Sequence, residues 1–295
     1  MTVHSQFIEN NYEEVMRIID TALAEDIGDG DHSTLACIDP DALGSAQLLV
    51  KEDGVIAGVE LANVIIKKLD PEAKVSLFKK DGDKVLRGDL VLSLYAKIHA
   101  ILSTERLLLN CLQRMSGIAT MTNELVQSVE KYGVRLLDTR KTTPGLRLFE
   151  KWAVTIGGGY NHRYALYDMI MLKDNHVDFC GGISKAIQAT HDYLNRINKS
   201  LKIEIEVRNL EELKEVLDCG GVDRIMLDNF SPNEIIQAVK LIPKEYETEA
   251  SGGITQNNIG DYAKTGIQFI SVGALTHSVK SLDLSLKAKL ESKSN

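Results

Sequence analysis

The sequence predicts an α/β protein, in which a small N-terminal α+β unit precedes an α/β barrel. Two different patterns of apolar residues along the 295-residue chain support this division. Between residues 45 and 95, short alternating apolar runs are separated by Asp-Gly dipeptides, which is typical of hairpins. From residue 134 onward, strand-like runs alternate with helical patterns, and such repeats require parallel strands joined by right-handed crossovers. A set this long closes most easily into a barrel, with a doubly wound sheet as the alternative.

The first hundred residues carry two helical patterns and two hairpin patterns. The apolar spacing of "YEEVMRIIDTALAE" (12–25) predicts an amphipathic helix, and "ANVIIKKLD" (62–70) predicts a shorter one. Segments 45–58 and 74–96 predict hairpins, with turns at Asp53-Gly54 and at Asp81-Gly82.

The remainder of the chain predicts one long helix and then regular βα repeats. The helix covers residues 103–133, with Ser103 or Thr104 as its cap and Gly133 as its end. Helical patterns at 210–220 and 232–242 separate later strands. The six strand-like runs are 134–138, 169–173, 202–207, 224–228, 247–251 and 269–273.

Composition and charge exclude several classes of function. The formal net charge of −8 argues against nucleic-acid binding through a basic surface. No apolar stretch approaches the roughly 18 residues that a membrane helix needs, and the N-terminus shows no secretory signal. The four cysteines show no C-x-x-C pairing, so we expect free, mostly buried thiols in a reducing cytoplasm.

Polar residues follow nearly every predicted strand, and in an α/β barrel these strand ends converge on one face. Burying several charges there without a purpose would be costly, so the pattern favours an active site. The strand-end residues are Asp138 with Arg140 and Lys141, Lys173, Glu206, Asp228, Ser251-Gly252-Gly253, and Gly273.

Two kinds of anion site are suggested by these strand ends. Guanidinium groups bind carboxylates and phosphates through paired hydrogen bonds, although solvated loop charges would show the same pattern. The cations are Arg140, Lys141, Arg147, His162, Arg163 and Lys173. Glycines in "SGG" (251–253) and "VGA" (272–274) let backbone N–H groups approach a phosphate closely.

Glu206 and Asp228 are carboxylates within this cationic face. They suit Mg²⁺ carried in by a polyphosphate substrate, or ribose hydroxyls, or ion pairs with Lys173 or an arginine. A zinc site from His162, Asp174 and His176 is a weaker alternative, because the usual ligand spacing is missing.

Seven longer motifs together resemble the quinolinate phosphoribosyltransferase family. They run in order along nearly the whole chain, and "DHST" (31–34) is less well matched, which concerns only a structural loop. The resemblance implies an N-terminal α/β sandwich domain (1–114, with about 275–295 packing back on it) and an open, TIM-like α/β-barrel domain (115–274). The motifs are "ERLLLNCLQRMSGIAT", "DTRKTTPGLR", "KWAVTIGGGYNHRYALYDMIMLKDNH", "IEIEV", "MLDN", "EASGGIT" and "ISVGALTHS".

The resemblance implies a pentosyltransferase of NAD biosynthesis. Family members transfer phosphoribose from phosphoribosyl pyrophosphate to quinolinate with decarboxylation, giving nicotinate mononucleotide, pyrophosphate and CO₂. They use Mg²⁺ and form homodimers or larger assemblies, in which Arg106 would reach the partner's site. The alternatives are a Schiff-base aldolase using Lys173, a paralogue acting on another acceptor, and a catalytically silent metabolite-binding protein.

The resemblance also assigns residues to roles. Lys173, Glu206 and Asp228 would be catalytic, and Glu206 and Asp228 would hold Mg²⁺ through the substrate or through water. The quinolinate site would comprise Arg106, Thr139, Arg140, Lys141, His162, Arg163 and Lys173. The phosphoribosyl pyrophosphate site would comprise Lys141, Lys173, Glu206, Asp228, Ser251, Gly252, Gly253, Val272, Gly273 and Ala274.

Overall fold

The computed structural model of the protein describes residues 3–289, and the chain in it forms two compact units. The first unit takes the chain up to Asn123, then Thr142–Gly158, then the chain from Thr276 onward. The second unit comprises Glu124–Lys141 and Gly159–Leu275. The division expected from the sequence, at 114/115 and 274/275, therefore differs at its first boundary and omits the return of Thr142–Gly158 to the first unit.

The helices of the first unit pack apolar faces inward. The amphipathic pattern predicted for 12–25 is confirmed, since the buried residues of this helix follow a helical spacing at Val15, Ile18, Ile19 and Leu23. The helices are α1 (Val3–Asn10), α2 (Tyr12–Ile27), α3 (His32–Cys37), α4 (Val59–Leu69), α5 (Ile98–Val129, which continues into the second unit) and α6 (Arg147–Ile156).

The strands of the first unit form an antiparallel sheet in the order β12-β1-β5-β3 and a short pair, β2-β4. Their ranges are β1 (Leu43–Val50), β2 (Gly54–Val55), β3 (Lys74–Leu77), β4 (Lys84–Val85), β5 (Leu90–Lys97) and β12 (Leu284–Lys289). The hairpin predicted over 74–96 is confirmed as an antiparallel pair of β3 with β5, although β4, which pairs with β2, lies between them in the chain. The hairpin predicted over 45–58 is wrong in its pairing. Two-residue strands cannot satisfy the backbone groups of β1, which pairs instead with the longer β5 and β12.

Helix α5 begins five residues before its predicted cap. Thr104 is buried and its hydroxyl donates to the carbonyl of Ala100 at 2.6 Å, so Thr104 lies inside the helix. The predicted end is confirmed, because a 3₁₀ turn (Glu130–Tyr132) follows α5 and Gly133 closes it with φ +71°.

All six strands predicted for the second unit are confirmed, and they form one parallel sheet in the order β6-β11-β10-β9-β8-β7. The strands are β6 (Arg135–Leu137), β7 (Ile170–Leu172), β8 (Ile203–Val207), β9 (Arg224–Asp228), β10 (Glu247–Ser251) and β11 (Phe269–Ser271). The helices are α7 (Asp174–Cys180), α8 (Ile183–Ile197), α9 (Leu210–Cys219), α10 (Pro232–Leu241), α11 (Ile259–Ala263) and α12 (Ala274–His277, which ends in the first unit).

This parallel sheet curls into an open barrel. Strands β7 to β11 are neighbours in chain order, without the reversal of a doubly wound sheet. Tyr160 bridges to Leu137 of β6, and two residues later His162 places Nε2 2.9 Å from a carboxylate oxygen of Glu204 on β8. On a flat sheet β6 and β8 would lie about 19 Å apart, four strand spacings, so the sheet must curve strongly. The barrel prediction is confirmed.

The four cysteines are free, as expected, but their burial was predicted wrongly. Cys111 is buried, whereas Cys37, Cys180 and Cys219 are exposed. Within residues 3–289, no helix has the length and apolar character needed to cross a membrane.

Candidate active site

The ends of β7, β8, β9 and β10 bring four of the predicted site residues together in two bonded pairs. Lys173, directly after β7, donates from its ammonium group to the carboxylate of Glu206 on β8. Asp228 and Ser251 are register partners at the ends of β9 and β10, and the Ser251 hydroxyl donates to Asp228 at 2.5 Å. The alternative in which Glu206 pairs with Lys173 is therefore the arrangement in this structure.

The Lys173–Glu206 pair joins a solvent-accessible cation to a buried anion. The Lys173 side chain is 44% exposed, whereas that of Glu206 is 8% exposed. The backbone N–H of Lys173 donates to Nδ1 of His176 at 3.0 Å, which fixes the start of α7. The ammonium group thus stands at the open face of the barrel, where it can contact a ligand while remaining paired.

Asn229 shapes the glycine loop that follows β10. Its backbone is left-handed (φ +58°), its N–H donates to the Ser251 carbonyl, and its side-chain amide donates to Asp228 at 2.6 Å. A Cβ at Gly252 would collide with the side chain and backbone of Asn229, and Gly252 itself has φ +88°. Only glycine therefore fits at position 252 without strain.

Two glycine loops follow neighbouring strands. After β10, the Gly253 carbonyl accepts from the side-chain amide of Asn258 at 3.0 Å, while within residues 3–289 the N–H groups of Gly252 and Gly253 donate to no protein acceptor. After β11, Val272 donates to the Leu137 carbonyl, and Gly273 and Ala274 lead into α12. Free amides in a glycine turn are the donors that a phosphate would use.

The predicted cations are divided between the two units. Arg140 and Lys141 are exposed after β6, where the Lys141 N–H donates to the Thr139 hydroxyl at 3.1 Å. Burial lowers the pKa of the partly buried Arg163, and the positive charge of Arg140 lowers it further. Such mutual repulsion favours the binding of an anion between them. Arg106 (on α5, exposed) and Arg147 belong to the first unit.

A layer of charge buried inside the barrel was missed by sequence reasoning. Glu204 and Glu249 are fully buried, and His162 Nε2 lies 2.9 Å from the first and 3.5 Å from the second. Arg224 donates to Glu249 at 2.9 Å. Burial raises the pKa of both carboxyl groups to about 7, and for Glu249 the Glu204 charge adds to this effect. Burial alone would lower the pKa of Arg224, but the two carboxylates raise it.

The signal for this layer was present in the strand alternation. In "IEIEV" the two glutamates lie two residues apart and so face the same side, as Glu249 and Ser251 do in "ETEAS". His162, Glu204 and Glu249 bring one possible ligand atom each within 4.8 Å of one another. The guanidinium of Arg224 supplies one positive charge to this cluster through Glu249. Among the described residues, Asp174 and His176 belong to no such group, which does not support the zinc alternative.

The fold is that of an α/β-barrel enzyme, and its strand ends carry the cations and glycine loops that small, multiply anionic molecules require. Residues 118–287 match the family described as quinolinate phosphoribosyl transferase, C-terminal domain, and residues 31–116 match its N-terminal domain. The chain belongs to the quinolinate phosphoribosyl transferase family.

Similar proteins cover almost the whole chain. A protein of Arabidopsis thaliana named nicotinate-nucleotide pyrophosphorylase (carboxylating), chloroplastic, is 45% identical over 293 residues, which cover 94% of this chain and 84% of the relative. A Bacillus subtilis protein named probable nicotinate-nucleotide pyrophosphorylase (carboxylating) is 40% identical, with 96% of each chain covered. The crystal structure of NadC from Streptococcus pyogenes has a TM-score of 0.88 at 41% identity, covering 94% of this chain and 96% of that one.

Proposed function

We propose that this protein transfers phosphoribose from phosphoribosyl pyrophosphate to quinolinate and releases CO₂ and pyrophosphate. The product is nicotinate mononucleotide, an intermediate of NAD biosynthesis. The observation that carries the proposal is the order of charges along the strand ends: the neighbouring guanidiniums of Arg140 and Arg163 between β6 and β7, the Lys173–Glu206 pair, then Asp228–Ser251 beside a glycine loop. The relatives' names describe this reaction. The name nicotinate-nucleotide pyrophosphorylase (carboxylating) describes it in the reverse direction, and the name quinolinate phosphoribosyltransferase (decarboxylating) describes it in the forward direction.

Quinolinate requires two carboxylates to be neutralised. Arg140 and Arg163 lie close enough for their charges to interact, which suits them to bind the two anions of one small ring. Thr139, Lys141 and Lys173 complete this side of the pocket in the proposal. Arg106 lies exposed on α5, and we propose that it reaches the same pocket of a second copy in a homodimer or larger assembly.

The phosphoribosyl donor requires a phosphate site and groups for its ribose. We assign its 5′-phosphate to the two glycine loops and its ribose hydroxyls to Glu206 and Asp228, which are hydrogen-bond acceptors at neighbouring strand ends. Lys141 and Lys173 would lie near the pyrophosphate. The loop residues are Ser251, Gly252, Gly253, Val272, Gly273 and Ala274.

Mg²⁺ fits the donor set of Glu206 and Asp228. Both groups present carboxylate oxygens, which are the ligands that this ion prefers, and the Asp228 carboxylate is already oriented by Ser251 and Asn229. Entering with the substrate, directly or through water, the ion would neutralise charge on the departing pyrophosphate.

The side chains then act by position and charge. The C1–oxygen bond to pyrophosphate breaks and the pyridine nitrogen bonds to C1, while Glu206 and Asp228 stabilise the positive charge that develops on the sugar. The nitrogen, now cationic, withdraws the electron pair of the bond between C2 and its carboxylate. CO₂ leaves, and C2 takes up a proton from solvent. Lys173 holds the acceptor in line with C1 throughout.

A two-acceptor assay tests this function. Pyrophosphate and CO₂ are measured with phosphoribosyl pyrophosphate and either quinolinate or nicotinate. We expect equal amounts of both products with quinolinate and none with nicotinate. Pyrophosphate release with nicotinate, without CO₂, would identify a paralogue. A borohydride-trapped adduct on Lys173 without pyrophosphate release would identify an aldolase instead.

The location of the protein is a separate part of the proposal. The names of plant relatives include chloroplastic and mitochondrial forms. We propose a cytoplasmic location, as expected from the sequence, and cell fractionation with an antibody to this chain tests it.

A further inference from the structure

The segment that carries Arg163 has an unusual set of backbone hydrogen bonds. Four consecutive N–H groups, those of residues 162–165, each donate to a side chain instead of a carbonyl. Asp138 accepts from His162, the imidazole Nδ1 of His162 accepts from Arg163 at 2.7 Å, and Asp168 accepts from both Tyr164 and Ala165. Three side chains therefore set the backbone that presents the Arg163 guanidinium.

The bond to Nδ1 determines the protonation of His162. A backbone N–H can only donate, so the nitrogen that accepts it carries no proton, and the ring is not an imidazolium. The ring proton then lies on Nε2, which faces Glu204 at 2.9 Å. The contact with Glu204 has the distance of an ion pair but not the geometry of a hydrogen bond, so the bond at Nδ1 alone fixes this tautomer.

We propose that His162 is a neutral positioning residue. It lies against the buried carboxylate of Glu204, and it sets the backbone of Arg163 by accepting its N–H. In this proposal His162 does not bind a substrate carboxylate as a cation, the role assigned to it from the sequence. The inference deepens the proposed function, because it rests on Arg163 as a ligand of the pyridine dicarboxylate.

The surroundings of His162 are consistent with a neutral ring. The charged groups that face it are Glu204 on β8, Glu249 on β10, Arg224 on β9, Asp138 after β6, and the adjacent Arg163. Arg224 supplies one cation, which it shares between Glu249 and Glu247, so the neutral ring follows from the Nδ1 contact with the Arg163 N–H and not from a balance of charges. Protonating Nδ1 would break the bond to Arg163 and set two donors against each other.

Three substitutions separate positioning from charge. His162→Asn keeps an acceptor near the place of Nδ1, His162→Gln keeps a donor near the place of Nε2, and His162→Lys keeps only a positive charge. We expect kcat/KM for quinolinate to fall within about tenfold for His162→Asn and by about 100-fold for His162→Lys, with His162→Gln between them. The loss should lie mainly in KM for quinolinate, with KM for the phosphoribosyl donor little changed.

Matched controls and two further readouts complete the test. His191 lies on α8, outside the site, and His191→Asn and His191→Lys should leave activity unchanged. The KM ratio of His162→Asn to wild type should be the same at pH 6 and pH 8. Nitrogen NMR of the wild-type protein, with the His162 signals assigned by their loss in His162→Gln, should show one protonated and one unprotonated ring nitrogen throughout this range.

A cationic role would give the opposite pattern. His162→Lys would then retain more activity than His162→Asn, the KM ratio would increase at pH 6, and both ring nitrogens would be protonated there. Any of these results overturns the inference. Inactivity of the wild-type protein towards quinolinate would instead overturn the proposed function, while the NMR result would still decide the state of His162.

Discussion

The two units use buried carboxylates differently. In the first unit Asp70, Asp81 and Glu150 each accept backbone N–H groups: Asp70 from Lys97, Asp81 from Val59 and Glu150 from Thr143. These carboxylates fix loops, and each replaces a backbone carbonyl as the acceptor. In the second unit Glu204 and Glu249 face the side chains of His162 and Arg224 inside the barrel.

The difference in their partners indicates which buried carboxylates stabilise the folded protein. A carboxylate bonded to amides is stabilised as an anion, whereas burial next to another acid raises the pKa of Glu204 and Glu249 to about 7. A charged cluster costs stability relative to apolar packing, and barrels normally fill this interior with Val, Ile and Leu. The first unit therefore uses its acids for stability, and the second unit tolerates its acids beneath the candidate site.

The largest effect should come from a loop-fixing acid in the first unit. Glu150 is buried and accepts from the N–H and hydroxyl of Thr143 and from Nε of Arg114, so Glu150→Ala leaves several donors without a partner. We expect the free energy of unfolding to fall by about 3–5 kcal/mol. Chemical denaturation measures it, with Glu14→Ala as control. The exposed Glu14–Arg17 pair should contribute less than about 1 kcal/mol. Equal losses for the two variants would contradict the structural role of Glu150.

The opposite behaviour is expected at the strand ends of the second unit. Lys173→Ala removes an ammonium group that is 44% exposed, although it leaves the Glu206 carboxylate without its cation. The protein should therefore lose less stability than in Glu150→Ala, while turnover falls by about 10²–10³-fold. Pyrophosphate release and thermal unfolding measure the two quantities. Lys202→Ala is the matched control, since Lys202 precedes β8 and pairs with Glu247 away from these strand ends. Near-normal turnover in Lys173→Ala would remove Lys173 from the mechanism.

Sequence reasoning located the parallel strands and the antiparallel pair of β3 with β5, but not the partners of β1. Every strand of the barrel followed from local alternation with helices, because a βα repeat leaves few topologies. The pairing of β1 with β12 joins residues more than 230 positions apart, for example Ser45 with Lys289, and nothing local specifies it. The start of α5 was also misplaced, since Thr104 was interpreted as a cap although its hydroxyl bonds within the helix.

The site was predictable where residues end strands and was missed where they lie inside the barrel. Lys173, Glu206, Asp228 and Ser251 follow apolar runs, and barrel geometry brings such ends together. Glu204 and Glu249 sit within strands, where a charge is ordinarily assigned to a solvent-facing side. Only the curvature of the sheet places them against His162, so their role required the tertiary structure.

The pH dependence of stability should sharpen the contrast between the units. Glu249 ionises near its ordinary pKa of 4.5 in the unfolded chain but at about 7 in the folded protein. Between these values the folded state binds more protons, so the contribution of Glu249 to stability falls as pH rises from about 4.5 to about 7. Because glutamine does not titrate, Glu249→Gln should gain stability relative to wild type across this window, on the order of 1–3 kcal/mol.

The test of Glu249 is how the difference in the free energy of unfolding between variant and wild type changes with pH, and not its size at one pH. Glu249→Gln also weakens the bond from Arg224, which shifts the free energy of unfolding at every pH and cancels when pH 5 is compared with pH 7.5. Denaturation curves of both proteins at several pH values give the difference directly. Glu14→Gln in the first unit is the control, because the hydrogen bond from Arg17 lowers the pKa of Glu14, so this variant should show no such gain as pH rises. If Glu249→Gln and Glu14→Gln showed the same pH dependence, the buried acid of the second unit would not differ from a paired acid in the way the structure indicates.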